Sequence, residues 1–393
     1  MKILEKIKIL YQNFKGLTTI GTATFVSSGL GGLFWFYMAS LMGTEAYGQI
    51  SYFLAIAIIG SRISLLGFAN TIMVYSAKGV KIQPPIYLFA ILGSIITSLI
   101  LFFVFLYDVG ISLYVIGFVT FTLITSDLLG RKQYKSYAKY IISQKIILII
   151  LSVSLYHLIG LTGVILGIAI SFLPYSFVIY KEFKNTKIDF SLIRSRAKFI
   201  TNSFANDLTS TFGGYLDKLI VAPMLGFALL GNYQLGIQFM LVFEIVPVMF
   251  YHYLLPKDAR DESNTNLKKV VMLISVALCV LAIILSPVVI PILFPEFTEA
   301  VPVIQILSIA IIPFTAATIL NSKFLGTEKT KFVLTGSIIL ISVQIPSIIG
   351  LAALYGINGA AISTAVSAQN GLLIRNRTAF EESRKISALL FDK

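Results

Sequence analysis

Charged residues are scarce in this chain. Lys, Arg, Asp and Glu together make up 12% of its 393 residues, whereas a soluble domain usually carries about 25%. Hydrophobic residues make up 57%. A water-soluble fold could not cover its surface with so few charges, because most exposed surface needs polar groups. The composition therefore indicates an all-α polytopic membrane protein.

Several chemistries are also missing. Cys279 is the single cysteine, so no disulfide can form within the chain. The sequence has no phosphate-binding G-x-x-x-x-G-K-[ST] loop and no H-x-x-x-H, C-x-x-C or D-x-D pattern, so we expect no ATP hydrolysis and no enzymatic activity. We expect no cofactor beyond a coupling proton or sodium ion. The net charge of +13 does not indicate a nucleic-acid partner, because the basic residues lie scattered between apolar runs.

What the chain has in abundance is long apolar runs. A membrane-spanning helix needs roughly 20 mostly apolar residues, and twelve runs of about that length follow one another. We therefore predict about twelve transmembrane helices, over residues 17–41, 48–75, 84–107, 110–130, 137–159, 161–181, 199–223, 230–254, 269–293, 301–322, 332–354 and 357–375.

The basic residues predict the orientation. With twelve spans, all but three of the 31 Lys and Arg residues fall on the same side as the two termini, and the exceptions Arg62, Lys145 and Lys218 lie within spans. The opposite side carries acidic residues such as Glu45 and Glu296. Basic loops stay in the cytoplasm. We therefore expect a multi-pass protein of the plasma (inner) membrane, with both termini cytoplasmic.

An internal repeat divides the chain. The stretch GGLFWFYMASLMGTEAYGQ (31–49) resembles GGYLDKLIVAPMLGFALLGNY (213–233), and LTGVILGIAIS (161–171) resembles INGAAISTAVS (357–367). Two pairs in the same order indicate two six-helix halves related by an axis along the membrane normal. We predict an N-terminal lobe over 1–182, a cytoplasmic linker over 183–198, a C-terminal lobe over 199–377 and a cytoplasmic tail over 378–393.

Polar residues inside the spans are the candidate site. Such groups are costly in the bilayer and usually face a cavity or a partner. We assign a substrate cavity to Arg62, Asn70, Asn202, Asn206 and Gln238, and a coupling proton or cation to Asp207 and Glu244. The alternative to a transport site is a structural role, in which these side chains form hydrogen bonds between helices or internal ion pairs. Lys145 is expected to extend toward the inner face, and Asp217 and Lys218 could be interfacial.

Three stretches of the sequence resemble one known family. They are ASLMGTEAYGQISYFLAIAIIGSRISLLGFANTIMVY (39–75), YLDKLIVAPMLGFALLGNYQLGIQF (215–239), and 293–367, which begins LFPEFTEAVPVIQILSIAIIP. Together they are similar to the Wzx-type (O-antigen) polysaccharide flippases of the multidrug, oligosaccharidyl-lipid and polysaccharide exporter superfamily. Met42 departs from the leucine that this family carries at its first turn. The resemblance rests on the order and spacing of the stretches, since no single motif is specific.

The resemblance implies both a fold and a function. It implies two six-helix lobes in a V around a central cavity, which carry a lipid-linked oligosaccharide from the inner to the outer leaflet by alternating access. The expected partners are that glycolipid, membrane lipids and glycan-assembly enzymes. Two alternatives stay open: a cation-coupled multidrug exporter of the same superfamily, favoured by acidic residues in the cavity, and a non-transporting scaffold for cell-envelope glycan synthesis. A membrane glycosyltransferase is disfavoured, because the outer loops are very short.

Overall fold

A computed structural model describes residues 2–105, 108–179, 188–258, 265–326 and 338–367, without the side chains of 2–17, 252–258, 265 and 324–326. Within these ranges the chain forms helices and no strand. The helices are α1 (Lys2–Leu65), α2 (Phe68–Ala77), α3 (Gln83–Val104), α4 (Val109–Gly130), α5 (Tyr134–Ile159), α6 (Leu161–Ile170), α7 (Ser191–Arg194), α8 (Ala197–Leu225), α9 (Phe227–Asp258), α10 (Thr265–Leu293), α11 (Ala300–Gly326) and α12 (Ile338–Ser367).

Local sequence sets the ends of several helices. Asp108 caps α4, because its carboxylate accepts a hydrogen bond from the backbone N–H of Ile111 at 2.9 Å. Pro84 lies in the first turn of α3. A backbone N–H has no acceptor within the helix at this position, so a proline there costs no hydrogen bond. Gly43 interrupts α1 with φ 77° and ψ 177°, so α1 is two consecutive helices joined at a kink.

The chain is an integral membrane protein. Nine helical segments of the described residues are long and apolar enough to cross a bilayer, and one of them, Thr18–Leu65, contains the kink at Gly43 between two predicted spans. The described parts of the twelve predicted spans are almost entirely helical, with a break at Leu66–Gly67 in the second span and an interruption over 171–175 in the sixth. Residues 106–107, 180–181, 332–337 and 368–375 of these spans lie outside the described part. The prediction of an all-α polytopic membrane fold is confirmed.

The apolar side chains are arranged for a lipid environment. On α10, Leu273, Ile284 and Ile292 are between 62% and 71% exposed, and α3 presents a similar row. Large apolar groups on a helix surface are favourable only where lipid replaces water. Small hydroxyl groups connect helices inside: Ser275 and Thr315 lie within 2.7 Å of each other between α10 and α11.

The chain forms two compact units. One consists of residues 1–35 and 53–211, and the other of residues 36–52 and 212–393. The first has an apolar core in which Phe68 and Ile72 of α2 pack with Val119 and Leu123 of α4. The core of the second unit includes Leu230 of α9, Val303 and Leu307 of α11, and Ala360 of α12. The predicted boundaries of the lobes stay a prediction.

The repeat predicted from the sequence is visible in the backbone. Gly43 and Gly226, the first glycines of the two related turns, both have positive φ, at 77° and 90°. Gly160 and Gly356, which precede the other related pair of stretches, have φ of 70° and 58°. Only glycine adopts this conformation readily. The same backbone geometry at equivalent positions supports an internal duplication.

Close helix contacts repeat as well. A Cβ atom on Gly163 would collide with the carbonyl oxygen of Leu155, and one on Gly359 would collide with that of Leu351. In both pairs the partner lies eight residues earlier, on the other side of a positive-φ glycine, Gly160 or Gly356. The close contact is therefore repeated across the α5–α6 connection and within α12. Two glycines at these positions let the backbones approach more closely than any side chain would permit.

The two related turns also meet each other. A Cβ atom on Gly48 would collide with the carbonyl oxygen of Phe227, and one on Gly231 would collide with that of Thr44. Thr44 and Phe227 are equivalent residues that directly follow the positive-φ glycines. The contact is therefore reciprocal, as at a local two-fold axis.

Candidate functional site

The α8 helix carries a polar face that is open rather than packed. Asn202, Asn206 and Ser210 are exposed and recur at the spacing of one helical turn. The helix has 29 residues, long enough to cross a bilayer, yet it is too polar to count among the nine apolar segments. Lipid would leave these amides unsatisfied, so this face fits contact with water or with a polar ligand.

Asp207 lies beside this polar face on α8 and is half-buried. Its Oδ1 accepts a hydrogen bond of 2.9 Å from the Nδ2 of Asn70 on α2. Within the described residues, its Oδ2 is buried without a hydrogen-bond partner. Arg62 is close enough to interact electrostatically with this carboxylate. The structure therefore brings together three of the predicted site residues, Arg62, Asn70 and Asp207, within one unit.

Arg62 lies in the last turn of α1 and is half-buried. Its guanidinium carbon lies 5.2 Å from the centroid of the Phe118 ring on α4, a cation–π contact. Within the described residues, no carboxylate lies within 4.0 Å of Arg62, since the ion pairs there are Asp127–Arg131 and Asp217–Lys218. Its planar array of N–H donors suits an anionic group such as a phosphate.

The remaining predicted residues lie in the second unit. Gln238 on α9 is buried at 6% exposure, and Glu244 on the same helix is half-buried. In the described part of the chain, no Lys or Arg lies within salt-bridge distance of Glu244. Their assignment to a substrate cavity and a coupling ion stays a prediction.

Lys145 lies on α5 in the first unit and extends toward α1. Its Nζ is 3.8 Å from the position that a Cβ atom on Gly31 would take. A Cβ atom at position 31 would therefore be in ordinary van der Waals contact with the lysine.

Asp217 and Lys218 form a buried ion pair. Each residue is 5% exposed, and Lys218 Nζ lies 3.2 Å from Asp217 Oδ1. The hydroxyl of Tyr233 on α9 donates to Asp217 Oδ2 at 3.0 Å and lies 3.0 Å from Thr364 Oγ1 on α12. Lys218 also donates to the carbonyl of Gly214 at 3.0 Å. This network joins three helices of the second unit.

A second buried carboxylate was missed by the sequence analysis. Asp127 on α4 is 6% exposed, accepts hydrogen bonds from Ser76 at 2.6 Å and Gln83 at 3.0 Å, and pairs with Arg131 at 2.8 Å. The signal in the sequence is the spacing of four residues between Asp127 and Arg131, which places opposite charges on one helix face. Since Ser76, Gln83 and Arg131 all contact the carboxylate, this network is structural.

One carboxylate outside the spans has a shifted pKa. Asp189 accepts hydrogen bonds from the Ser191 hydroxyl at 2.6 Å and from the Ser191 backbone N–H at 2.9 Å. The hydroxyl bond is the larger cause and the backbone bond the second, and together they hold the pKa of Asp189 below its ordinary value. Asp189 thereby stabilises the start of α7, a single turn that precedes α8.

No group of three or more His, Cys, Asp or Glu residues that could hold a metal ion occurs among the described residues. The described polar side chains can bind and orient a ligand by charge and hydrogen bonds. They include a guanidinium with no carboxylate within 4.0 Å, an exposed row of amides and a carboxylate with one oxygen that makes no described hydrogen bond.

The fold is that of known transporters. No protein-family profile matches the chain, and no curated relative matches it. Among solved structures, the lipid II flippase MurJ in an inward closed conformation matches with a TM-score of 0.74 and 16% identity, over 92% of this chain and 87% of that one.

Two multidrug-type structures are also similar. An inward-facing multidrug resistance transporter of the MATE family, in the MOP superfamily, matches with a TM-score of 0.71 and 11% identity, over 94% of this chain and 95% of that one. A MOP superfamily transporter from Pyrococcus furiosus matches with a TM-score of 0.61 and 12% identity, over 93% and 95% of the two chains. At these identities the likeness establishes a shared transporter fold, and the substrate must be argued from the site.

Proposed function

We propose that this protein is a flippase that moves a lipid-linked oligosaccharide, a precursor of a cell-envelope polysaccharide, from the inner to the outer leaflet of the plasma membrane by alternating access. The observation that carries the proposal is the exposed polar face of α8, beside the carboxylate of Asp207, with which the Arg62 guanidinium interacts electrostatically. A glycan offers many hydroxyl groups, and the amides of Asn202 and Asn206 can both donate to and accept from them.

Arg62 gives the proposal its second element. Lipid carriers of glycans attach the sugar through a phosphate or pyrophosphate, and a guanidinium with no carboxylate within 4.0 Å suits such a group. The two parts of the substrate thus match two parts of the site, with the amides at the sugar and Arg62 at the phosphate. The MurJ structure, whose substrate is lipid II, agrees with a lipid-linked cargo.

The orientation follows from charge. Basic residues gather at the ends of the spans on the side of the two termini, and such residues stay in the cytoplasm. On this orientation the substrate enters from the side where glycolipid precursors are assembled. Glycan-assembly enzymes are then the expected partners on that side.

The test is a flipping assay in vesicles. A fluorescent lipid-linked glycan is incorporated with the purified protein, and a membrane-impermeant quencher reports the fraction in the outer leaflet over time. We expect protein-dependent movement that falls at least about tenfold in Arg62→Ala, since a charge-assisted contact to phosphate is worth more than about 1.4 kcal/mol. Arg194→Ala, which removes an exposed arginine of α7, is the matched control and should flip at the wild-type rate. If the protein moves none of several lipid-linked glycans between the leaflets, even with proton and sodium gradients present, the proposal is wrong.

A cation-coupled multidrug exporter is the second candidate. It is favoured by Glu244, which lies half-buried without a described basic partner within 4.0 Å, as a residue that binds a coupling cation or proton could. The same vesicles decide between the two functions. Efflux of cationic dyes that depends on an ion gradient and on Glu244, without glycolipid movement, would favour the exporter.

A further inference from the structure

Two cations lie against one aromatic ring where two spans end. Tyr75 is in the last turn of α2, and its ring centroid lies 5.3 Å from the Nζ of Lys78 and 4.6 Å from the guanidinium carbon of Arg196, which directly precedes α8. An aromatic face attracts cations, so the ring holds both of them at one place. Lys78 is exposed and Arg196 is half-buried, so the pair is accessible from outside the protein.

The core of the first unit supports this ring and its neighbours. Tyr75 packs against that apolar core, and so do Leu192 and Ile193 of α7. The ring of Phe199 lies edge-on to Tyr75 at 5.6 Å. Arg196 is held by its own hydrogen bond, from Nη1 to the carbonyl oxygen of Leu192 at 2.9 Å. The two cations are therefore presented by well-packed segments and not by a free chain end.

The charge of the pair is not neutralised within the described part of the chain. No carboxylate there lies within 4.0 Å of Lys78 or Arg196. Asp189 acts on Arg196 electrostatically, but its hydrogen bonds come from Ser191. Two like charges beside one ring repel each other. An anion bound to both would remove that repulsion.

Donor groups for an anion remain at this place. Among the described residues, Arg196 makes hydrogen bonds through Nη1 alone, to Leu192 and to Ser195 Oγ at 2.8 Å, and its Nε is buried without a partner. Neither the Lys78 ammonium nor the Tyr75 hydroxyl makes a hydrogen bond to this part of the chain. A guanidinium, an ammonium and a hydroxyl are donors that suit the oxygens of a phosphate.

An exposed apolar row on α3 leads to the same place. Its members recur every three or four residues and are between 39% and 64% exposed: Phe89, Leu92, Ile96, Leu99 and Phe103. At its start, the ring of Phe89 lies 5.7 Å from that of Phe190, which is 52% exposed and directly precedes α7. Arg196 follows α7, so this single turn joins the apolar row to the cation pair. A phospholipid has the same order of parts, a charged phosphate followed by apolar chains.

We propose that Lys78, Tyr75 and Arg196 form a binding site for the phosphate of an anionic phospholipid, whose acyl chains lie along the exposed row of α3. The site is at the ends of spans on the basic side of the membrane, and basic pockets between helices on that side suit anionic headgroups. A soluble phosphate would satisfy the cations but would leave the row of α3 unused. The inference does not depend on the substrate that the protein carries.

The test is lipid binding to the purified full chain in micelles of a neutral detergent, measured by native mass spectrometry with increasing phosphatidylglycerol. A neutral micelle has no surface charge, so direct contacts decide the affinity. We expect phosphatidylglycerol to bind more tightly than phosphatidylcholine, because the choline cation is repelled by the site. Arg196→Gln and Lys78→Gln should each weaken phosphatidylglycerol binding about tenfold, the loss of one hydrogen bond to a charged group.

The matched control is Arg194→Gln, which removes an exposed arginine of α7 away from the Tyr75 ring and should bind within about twofold of the wild type. Equal weakening by Arg194→Gln would overturn the site, because it would show diffuse attraction to a basic surface. If Arg196→Gln does not fold, the exposed Lys78→Gln still decides the question.

Two further probes identify the source of the phosphate. Phosphatidylglycerol with short acyl chains should bind more weakly than the long-chain lipid, and equal binding would overturn the role of the α3 row. Displacement of the lipid by an equal concentration of inorganic phosphate would overturn the assignment to a lipid. Since no transport is measured, failure of this site leaves the proposed flippase function standing, and failure of the flipping assay leaves this site standing.

Discussion

The buried ion pair of Asp217 and Lys218 yields the sharpest prediction about stability. Both side chains are 5% exposed, and Lys218 Nζ lies 3.2 Å and 3.4 Å from the two carboxylate oxygens. Lys218→Met removes the cation and retains most of the apolar volume of the side chain. The Asp217 carboxylate then keeps the hydroxyl of Tyr233 and the backbone N–H of Lys218 as donors, but it has lost its counter-charge.

The magnitude follows from the burial. Removing one partner of a buried pair costs about 3–5 kcal/mol, because the remaining charge has no compensation in a medium of low dielectric constant. That lowers the folding equilibrium constant by roughly two to four orders of magnitude. The double variant Lys218→Met/Asp217→Asn removes both charges and leaves a neutral amide that still accepts from Tyr233. We expect it to recover to within about 1.5 kcal/mol of the wild type.

The assay is equilibrium unfolding of the purified protein in mixed micelles with increasing SDS, followed by tryptophan fluorescence. Lys269→Met removes an exposed lysine from α10 and is the matched control, with an expected change within about 0.5 kcal/mol. A Lys218→Met variant as stable as the control would refute the reasoning. So would a double variant less stable than the single one, since the uncompensated charge would then not be the cause.

Three further predictions follow from other contacts. Gly48→Ala should destabilise the protein by about 1–3 kcal/mol, because the new methyl group meets the backbone of Phe227 and Gly231, whereas Gly29→Ala should change the same SDS midpoint very little. Asp127→Ala should cost about 1–3 kcal/mol, because it leaves the buried hydroxyl of Ser76 without its acceptor and removes one of the two acceptors of the Gln83 amide, which keeps only Ser76; Arg131→Lys, which keeps the charge, should cost less, and the reverse order would contradict the assignment. The pKa of Asp189 is held below its ordinary value, so its support of α7 is fully present above the unfolded pKa and is lost as the pH falls through the folded pKa. Ser191→Ala should raise this pKa in an NMR titration, and an unchanged titration would show that the hydroxyl is not the cause.

Much of the fold follows from hydrophobic periodicity and length. The described parts of the predicted spans are mostly helical because apolar runs of this length have few other stable states in a bilayer. The repeat was also visible in the sequence, since Gly43 and Gly226 are required by backbone geometry and not by packing alone. In α8, the spacing of Asn202 and Asn206 was enough to predict a polar face.

Other features depend on which helices become neighbours, and the sequence does not contain that information locally. No proline precedes the break at Leu66–Gly67, and the backbone of Ile200 and Phe204 that lies against Gly67 is far along the chain. Asp127 and Ser76 are 51 residues apart. The hydrogen bond from Tyr233 of α9 to Asp217, and the contact of Tyr233 with Thr364 of α12, likewise join residues that are distant in the sequence.

The central claim is that the polar face of α8 lines the path of a lipid-linked glycan. The most direct test is labelling of Asn206→Cys, in the Cys279→Ala background, by a water-soluble maleimide with and without the glycolipid. We predict that Asn206→Cys reacts readily, that the glycolipid slows the reaction, and that Ile284→Cys, on the exposed apolar surface of α10, reacts slowly in both conditions. Reaction of Asn206→Cys as slow as that of Ile284→Cys, or reaction that the glycolipid leaves unchanged, would contradict the account.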